Sequence, residues 1–351
     1  MSKTVIDPFL PDQIQRLVAE FGSPLLIIDC QRVRTQYRKL HRALPGVDLH
    51  YALKPLPHAA VVQTVVALGG WLDLATTGEV HLARSLNIDA ERCIHTHPIK
   101  RDIDIRNALD YGVRTFVADN PDEVRKFKPY ADRARLLLRV SFRSPGAVVD
   151  LSRKFGCDPE DAMQLARLAA KLGIDVQGFS FHVGSQAADA LNIGGGFPIE
   201  YTQHVVDIGR FCAPIRKALA ALPKRVRVIA EPGRYIAGPS AIGVASVMGR
   251  AKREGHWWYY LDDGMYGSYS GQMYDHARYP VESLRRGEPL RPSVLAGPTC
   301  DSIDVIAENL MLPELRQGDL IVGRAMGAYT WASASEFNFF PKATVVAVNQ
   351  S

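Results

Sequence analysis

A repeated alternation of short apolar segments with segments of helical spacing constrains the fold of this chain most. An apolar run at 24–28 precedes a helical pattern at 30–44. The same pairing recurs at 48–52 with 58–68, 71–74 with 78–86, 93–96 with 103–111, 115–118 with 121–130, and 134–140 with 159–172, followed by runs at 176–182 and 190–193. Such alternation predicts parallel strands joined by crossover helices, and a count approaching eight units favours a closed (β/α)8 barrel over an open sheet.

A different pattern begins near residue 237. Strand-like runs with little helix between them occupy 241–248, 257–262, 293–295, 320–322 and 343–349. This pattern predicts a second, mainly β domain. The length of 351 residues agrees with two domains, because a single hydrophobic core stops growing at about 250 to 300 residues.

Charge and cysteine content narrow the class of protein. The 42 Lys and Arg against 37 Asp and Glu give a net charge of +5 without a basic run, which argues against nucleic acid as a partner. The uncharged stretch 55–72 is interrupted by polar residues and glycines, so we expect a buried helix there and no membrane span. The five cysteines are odd in number and widely separated, and no signal-peptide pattern precedes Ile6, so we expect a cytoplasmic protein.

Residues able to carry chemistry follow several predicted strands, at the end where barrel active sites form. Lys54 follows the run 48–52, and a partly desolvated lysine amine is nucleophilic enough to form a Schiff base with an aldehyde. Asp73 and Glu79 lie at the end of the third predicted strand. Position alone leaves an ordinary loop lysine and helix-capping residues as the alternatives.

Two later loops have residues suited to an anionic ligand. Gly194, Gly195 and Gly196 let the backbone approach an anion closely, with a plain turn as the alternative. Glu231 and Arg234 flank a Pro-Gly pair after a predicted strand. The guanidinium suits a phosphate and the carboxylate suits a protonated ring nitrogen, with solvated charges in a turn as the alternative.

Histidine and cysteine patterns are less specific. His182, at a strand end, could stack on a flat cofactor, and a core histidine is the alternative. Cys93, His95 and His97 alternate along one predicted strand, but no fourth ligand lies nearby, so we expect no metal site. In the β domain, the sequences GPTCD at 297–301 and GAY at 327–329 differ most from ordinary loop sequences, with a plain turn as the alternative for each.

Ten short motifs, each weak alone, occur in an order that resembles the fold-type III pyridoxal-phosphate decarboxylases of basic amino acids, and the ornithine decarboxylases most closely. They are YALK at 51–54, LSRKFG at 151–156, FHVGS at 181–185, GGGFP at 194–198, EPGR at 231–234, DGMYGS at 263–268, YDH at 274–276, GPTCD at 297–301, GAY at 327–329 and FN at 337–338. The resemblance covers nearly the whole chain. It implies an N-terminal segment at 1–30 that packs with the β domain, a pyridoxal-phosphate-binding (β/α)8 barrel at 31–237, and a C-terminal β-barrel or β-sandwich domain at 238–351.

The resemblance also implies roles for individual residues. Lys54 would bond to the cofactor, His182 would stack on its ring, and Glu231 would keep its pyridine nitrogen protonated. The other implied cofactor contacts are Asp73, Arg139, Ser185, Gly194, Gly195, Gly196, Gly233, Arg234 and Tyr329. Glu79 and Lys154 are implied to be site or subunit-contact residues, and the implied substrate-binding residues are Tyr274, Asp275, Asp301 and Phe337.

The reaction that the resemblance implies is decarboxylation of L-ornithine to putrescine in polyamine biosynthesis, with L-lysine to cadaverine left open. Cys300 would protonate the carbanion carbon, and Cys300 and Asp301 would reach across a twofold interface, so we expect a homodimer with shared active sites. No metal is expected. The sequence departs from the family pattern at Phe339, where a glycine is usual.

Three other functions compete with this one. A diaminopimelate decarboxylase usually has a Cys-Glu pair where this chain has Cys300 and Asp301. An alanine racemase-like enzyme shares the barrel but has its motifs in a different order. A non-catalytic homologue that binds regulators would be expected to lack the cofactor lysine or the phosphate-binding residues, and those are present here.

The runs at 176–182 and 190–193 lie unusually close in sequence for barrel neighbours. A parallel crossover needs about a dozen or more residues, usually with a helix, and the resembled family has a helix-bearing segment at this point. We therefore expect an interruption of the chain between about Gln186 and Leu191, with a genuine deletion as the alternative.

Overall fold

The computed structural model describes residues 7–141, 154–181 and 189–350. The chain forms two compact units. The barrel unit comprises Tyr37–Phe197 and Val206–Gly233, and the mixed-sheet unit comprises Met1–Gln36, Pro198–Val205 and Arg234–Ser351. Each unit is therefore assembled from stretches that are separated in sequence.

Eight parallel strands close into a barrel, as the alternation predicts. The first strand of the chain, β1 (Leu25–Asp29), is not one of them, so the alternation that builds the barrel begins one strand later than the sequence pattern does. The barrel strands are β2 (Val47–Ala52), β3 (Trp71–Leu74), β4 (Cys93–His95), β5 (Thr115–Ala118), β6 (Arg135–Val140), β7 (Asp175–Phe181), β8 (Ala190–Asn192) and β9 (Arg227–Ala230). Pairing of Val47 with Val228 closes the ring between β2 and β9.

Helices alternate with most of the barrel strands. The helices of the described ranges are α1 (Pro11–Phe21), α2 (Cys30–Ala43), α3 (Ala59–Ala67), α4 (Thr77–Ser85), α5 (Asp102–Tyr111), α6 (Pro121–Lys126), α7 (Pro159–Lys171), α8 (Ile208–Phe211), α9 (Ala213–Leu219), α10 (Arg234–Ala237) and α11 (Gly271–Asp275). The Thr76 hydroxyl caps α4 and the Asn120 side chain caps α6, each accepting a hydrogen bond from a first-turn amide. Within these ranges, no helix has both the length and the apolar character needed to cross a bilayer.

Apolar side chains fill the interior of the barrel. Val117, Leu137 and Ala190 come from three different strands and form one buried cluster. Strands of a parallel barrel are covered by helices on the outside and by this core on the inside, which is why their sequences are apolar runs instead of alternating ones.

The connection between β7 and β8 is short. The two strands are parallel neighbours, as predicted, with Gly178 beside Ala190. Residues 182–188 lie outside the described residues, so the expected interruption of the chain in this region stays a prediction.

The mixed-sheet unit contains an eight-stranded sheet with both parallel and antiparallel pairs. Its strands after the barrel are β10 (Ala241–Arg253), β11 (His256–Leu261), β12 (Val281–Ser283), β13 (Arg291–Ala296), β14 (Val305–Leu312), β15 (Leu320–Gly323) and β16 (Thr344–Val348). They run in the order β12-β15-β10-β11-β13-β14, and β1 pairs antiparallel with β10 and parallel with β16. This architecture, a closed parallel barrel with a separate β unit, confirms the expected fold class.

The core of the mixed-sheet unit joins residues from both ends of the chain. Ile14 of α1 and Ile27 of β1 pack with Ile242 of β10 and Val322 of β15 in one buried cluster. All five residues of the short strand β1 are buried; β10 and β16 pair with its two edges, and Leu25 and Ile27 belong to the cluster. The N-terminal segment is therefore part of this unit.

Two buried histidines sit in the barrel unit. His50 stacks on Trp71 with ring centroids 5.3 Å apart, and His95 lies 5.7 Å from the ring of Phe116. Within the described part of the chain, both nitrogens of His95 are buried without a hydrogen-bond partner. Burial lowers the pKa of each ring to about 3. Both rings are therefore neutral in the folded protein.

We expect His95→Leu to reduce the loss of stability in acid. The unfolded chain takes up a proton at the ordinary histidine pKa of 6.5, and folded His95, with a pKa of about 3, does not. The stability contributed by neutral His95 is thus present above pH 6.5 and is lost as the pH falls below it. Urea unfolding at about pH 7 and about pH 5 should show an acid-induced loss that is about 2 kcal/mol smaller in the variant.

Exposed His81 supplies the control, since His81→Leu removes an exposed histidine and should leave the acid-induced loss unchanged. An equal loss in wild type and His95→Leu would show that His95 is already protonated in the fold.

Candidate active site

Lys54 lies directly beyond β2, at the carboxyl-terminal end of the barrel, as predicted from its position in the sequence. Its side chain is exposed, which differs from the partly desolvated amine that we expected. The turn that carries it is fixed on both sides. The Leu53 amide donates to the carbonyl of Asp73 at 3.3 Å, and the Tyr51 hydroxyl donates to the carbonyl of Leu56 at 3.0 Å.

Asp73 is the penultimate residue of β3 and is buried at the same barrel end. The Thr96 hydroxyl donates to its Oδ1 at 2.5 Å. Burial, and next the neighbouring charge of Glu231, raise the pKa of Asp73 well above its ordinary value, and Thr96 and Lys54 oppose the shift. Asp73 is therefore close enough to both Glu231 and Lys54 to respond to their charges.

Glu79 belongs to the same group of charges. It lies in the first turn of α4, and its Oε2 accepts a hydrogen bond from the Ala75 amide at 2.5 Å. Burial raises the pKa of Glu79, while the Ala75 amide and Lys54 lower it. The predicted residues Asp73 and Glu79 thus both face the positive charge of Lys54.

Glu231 follows β9 and is held by Asn192. The Asn192 amide nitrogen donates to Glu231 Oε1 at 2.5 Å, while its oxygen accepts from the Gly194 amide at 2.9 Å. Burial raises the pKa of Glu231, and Asn192, Arg139 and Lys54 counter that effect. Sequence reasoning missed Asn192, although a lone amide in the apolar run 190–193 was an available signal.

The glycine loop after β8 is shaped by its contact with Glu231. Gly194 and Gly196 have positive φ angles of 69° and 86°. A Cβ on Gly195 would lie 2.7 Å from the carbonyl oxygen of Glu231, closer than a side chain can approach. Gly233 is also required by packing, since its Cβ would meet Pro55 at 2.6 Å.

Arg139 and Lys154 both lie close to the ring of Phe155. The Arg139 guanidinium carbon lies 5.5 Å from the centroid of Phe155, and Lys154 Nζ lies 5.1 Å from it. Two of the implied site residues therefore share a neighbour in the barrel unit. Two others, His182 and Ser185, lie outside the described residues.

The barrel end has the donor set that pyridoxal phosphate requires. Lys54 offers an amine for the aldehyde, Glu231 offers a buried carboxylate for a protonated ring nitrogen, and the Gly194–196 loop offers closely approachable backbone. Two neighbouring carboxylates with raised pKa values favour the binding of a cationic ring there. The residues present therefore fit this cofactor.

Arg234 is the first residue of α10 and of the last stretch of the mixed-sheet unit. Its Nη1 donates to the Tyr201 hydroxyl at 2.8 Å, and its Nη2 pairs with Asp275. The guanidinium carbon lies 4.7 Å from the ring centroid of Tyr329. The structure thus brings together Arg234, Tyr329 and Asp275, although the resemblance implies different ligands for them.

The loop that carries Cys300 and Asp301 is organised by Asp304, which sequence reasoning missed. Asp304 Oδ2 accepts from the Thr299 amide at 3.0 Å and the Thr299 hydroxyl at 2.6 Å, and its Oδ1 accepts from the Met265 amide at 2.7 Å. The residue is only 2% exposed. One buried carboxylate therefore ties the 297–301 loop to the 263–268 motif.

Asp301 is held in place by an aromatic pair. The Tyr266 hydroxyl donates to Asp301 Oδ2 at 2.5 Å, and the Tyr266 ring stacks on Phe337 with centroids 4.2 Å apart. The hydrogen bond from Tyr266 holds the pKa of Asp301 below its ordinary value and raises that of Tyr266 to about 12. Asp301 is thus a fixed carboxylate beside the exposed thiol of Cys300.

Several implied site residues of the mixed-sheet unit are exposed in the single chain. Tyr274 is 65% exposed and Phe337 is 42% exposed. Phe339, where the family pattern has glycine, is 99% exposed and adopts a positive φ of 61°. A bulky residue in this conformation is strained, which accounts for the preference for glycine.

The cysteine and histidine pattern near β4 does not continue along one strand. β4 ends at His95, so His97 lies beyond the strand and the expected alternation along one strand is wrong at that residue. Across the described ranges, no group of three or more His, Cys, Asp or Glu residues could hold a metal ion.

Comparison with known proteins gives three findings. The profile of the pyridoxal-dependent decarboxylase family, pyridoxal binding domain, matches residues 30–191 and 187–238. The lysine/ornithine decarboxylase of Selenomonas ruminantium is 34% identical over 93% of this chain and 90% of its own length. A solved lysine/ornithine decarboxylase of Vibrio vulnificus superposes with a TM-score of 0.92 in its complexes with cadaverine and with putrescine. The identity is 52% over 97% of both chains for the cadaverine complex, and 51% over 99% of this chain and 100% of the other for the putrescine complex.

We expect Asp304→Asn to destabilise the protein. The amide would place a donor among three donors, so at least one buried group would lose its partner, which costs about 2 to 4 kcal/mol. Denaturant unfolding monitored by circular dichroism measures the loss. Glu308→Gln changes an exposed carboxylate of β14 and should have little effect. If both variants unfold at the wild-type denaturant concentration, Asp304 does not organise the loop.

Proposed function

Because this chain belongs to the pyridoxal-dependent decarboxylases and acts on basic amino acids, we propose that its reaction is the decarboxylation of L-ornithine to putrescine in polyamine biosynthesis, with L-lysine to cadaverine as a second reaction. The observation that carries the proposal is the group of charges around Lys54, where Asp73, Glu79 and Glu231 meet at one barrel end. Complexes of the Vibrio vulnificus relative with cadaverine and putrescine support both products. We propose the cytoplasm as the location.

The enzyme uses pyridoxal 5'-phosphate, which when bound supplies an electron sink for the carbanion left by departing carbon dioxide. Lys54 holds the cofactor through its amine. Glu231 keeps the proton on the pyridine nitrogen, and Asn192 holds the carboxylate for that task. A fixed charge beside the ring nitrogen acts where charge develops in the transition state, so it contributes directly to the rate.

The phosphate of the cofactor is assigned to residues that offer amides, hydroxyls and one strong cation. These are Ser185, Gly194, Gly195, Gly196, Gly233, Arg234 and Tyr329. The narrow glycine loop and the guanidinium of Arg234 are the features that support this assignment. His182 is assigned to stack on the face of the cofactor ring. Asp73 and Arg139 are assigned as further contacts of the cofactor.

The substrate is distinguished by its distal ammonium, which needs a carboxylate partner because a buried unpaired charge is costly. We assign two carboxylates to this ammonium: Asp275, and Asp301, which is fixed by Tyr266. Tyr274 and Phe337 are assigned to the aliphatic chain of the substrate. Cys300 is assigned as the proton donor to the carbanion carbon. The exposure of Cys300, Tyr274 and Phe337 in the single chain supports a homodimer in which they complete the partner's site.

The alternatives make different demands on the same residues. A diaminopimelate decarboxylase must bind a distal amino-acid end, for which the carboxylates Asp275 and Asp301 are unsuited on their own. A non-catalytic homologue would not need a Lys54 whose charge acts on the carboxyl groups of Asp73, Glu79 and Glu231. Decarboxylation of a diamino acid therefore explains more of the site than either alternative.

We expect Lys54→Ala to abolish the absorbance band of the bound cofactor and to lower the decarboxylation rate by at least about a thousandfold. Steady-state release of carbon dioxide should be fastest with ornithine or lysine. Lys39→Ala, which removes an exposed lysine of α2, should leave band and rate unchanged. A higher kcat/KM for diaminopimelate than for both diamino acids would overturn the proposed substrate class.

Shared active sites lead to a separate expectation. Mixing inactive Lys54→Ala with impaired Cys300→Ala should restore about one quarter of wild-type activity, because random exchange makes half of the dimers mixed and each mixed dimer has one intact site. Subunit exchange is verified by native mass spectrometry of differently tagged chains. Absence of any recovery after verified exchange would show that Cys300 acts within its own chain or does not act.

A further inference from the structure

The Arg234–Asp275 ion pair connects two residues that the proposed function assigns to opposite ends of the reactants. Arg234 is assigned to the cofactor phosphate, and Asp275 is assigned to the distal ammonium of the substrate. In the single chain they are bound to each other through Arg234 Nη2 and Asp275 Oδ2, with side chains 26% and 24% exposed. Each residue is therefore already the counter-ion of the other.

The surroundings of Arg234 hold its guanidinium in this position. Nη1 is engaged by the Tyr201 hydroxyl at 2.8 Å, and the ring of Tyr329 lies 4.7 Å from the guanidinium carbon. Tyr201 is held in turn by an edge contact with Tyr279, with centroids 5.5 Å apart. The Arg234 guanidinium is thus held in position by Tyr201 and Tyr329, and it forms an ion pair with the carboxylate of Asp275.

We infer that Asp275, and not Arg234, is the member of the pair that moves. It is the last residue of the five-residue helix α11, and His276 after it adopts a left-handed conformation with φ of 51°. Arg234, by contrast, is held by Tyr201 and Tyr329 as well as by its helix. A change in the charge around Arg234 should therefore move Asp275 and leave the cation in place.

A phosphate at Arg234 places a second anion beside the Asp275 carboxylate. Two anions close to one cation repel each other, so the phosphate weakens the hold of Arg234 on Asp275. A diamine at Asp275 relieves that repulsion by supplying an ammonium partner. Because coupling between two binding sites is reciprocal, the diamine must strengthen phosphate binding by the same factor.

We propose that the Arg234–Asp275 pair links the anion site to the distal-amine site, so that a phosphate group and a diamine bind with positive cooperativity. The inference rests on the proposed function for Arg234 as the phosphate cation. In the free chain the pair occupies both sites, and filling either one frees the partner residue for the other ligand. Asp275 is thus a residue shared between cofactor and substrate binding.

The test is isothermal titration of the full chain, stripped of cofactor, with inorganic phosphate in the presence and absence of cadaverine. Cadaverine should tighten phosphate binding by about fivefold or more. Asp275→Asn should by itself tighten phosphate binding by a similar factor, because it removes the competing carboxylate, and should abolish the effect of cadaverine. Binding of pyridoxal phosphate followed by absorbance should change in the same direction, and binding of pyridoxal, which has no phosphate, should not change.

Two control variants separate the possible failures. Glu282→Gln removes the carboxylate of the Arg324–Glu282 pair in the same unit and should leave phosphate binding and its response to cadaverine as in wild type. Arg234→Gln should weaken phosphate binding at least tenfold. If Arg234→Gln binds phosphate as tightly as wild type, Arg234 is not the phosphate cation and the linkage is also wrong. If Arg234→Gln binds phosphate weakly, but Asp275→Asn also weakens phosphate binding or cadaverine has no effect in wild type, the linkage is wrong and the assignment of Arg234 stands.

Discussion

The structure of this enzyme depends on the balance between buried carboxylates and the positive charges of Lys54 and Arg139 at one end of the barrel. Burial raises the pKa values of Asp73 and Glu231, and the cations oppose the shift at Glu231. Gathering like charges in one place is costly, so a scaffold must hold them. The closed ring of strands does this, because the ends of β2, β3 and β9 carry these side chains to one rim.

The mixed-sheet unit contributes charges that are positioned differently. Two of its carboxylates lie on loops and make hydrogen bonds there: Asp304 gathers the 297–301 loop, and Tyr266 holds Asp301. A third carboxylate, Asp275, is paired with Arg234. The charges of the barrel unit are thus held at strand ends, and two carboxylates of the mixed-sheet unit are held by hydrogen bonds within loops.

Sequence reasoning predicted the barrel because its strands are separate apolar runs, and it found Lys54 and Glu231 because each follows such a run. The alternation alone starts one strand before the barrel, since β1 is as apolar as a barrel strand but pairs with β10 and β16, whereas the resemblance assigned residues 1–30 to the β domain. It missed β14, where exposed Glu308 and Asn309 interrupt the apolar pattern. Asn192 and Asp304 were missed because their importance comes from partners far apart in sequence, which no local pattern shows.

We propose that the buried carboxylate of Glu231 keeps a proton on the ring nitrogen of the cofactor. Nitrogen-15 NMR of enzyme loaded with ring-labelled pyridoxal phosphate measures that protonation directly, near neutral pH. We expect a protonated pyridine nitrogen in wild type and an unprotonated one in Glu231→Gln. A nitrogen that is unprotonated in wild type, or that stays protonated in Glu231→Gln, would show that Glu231 does not have this role.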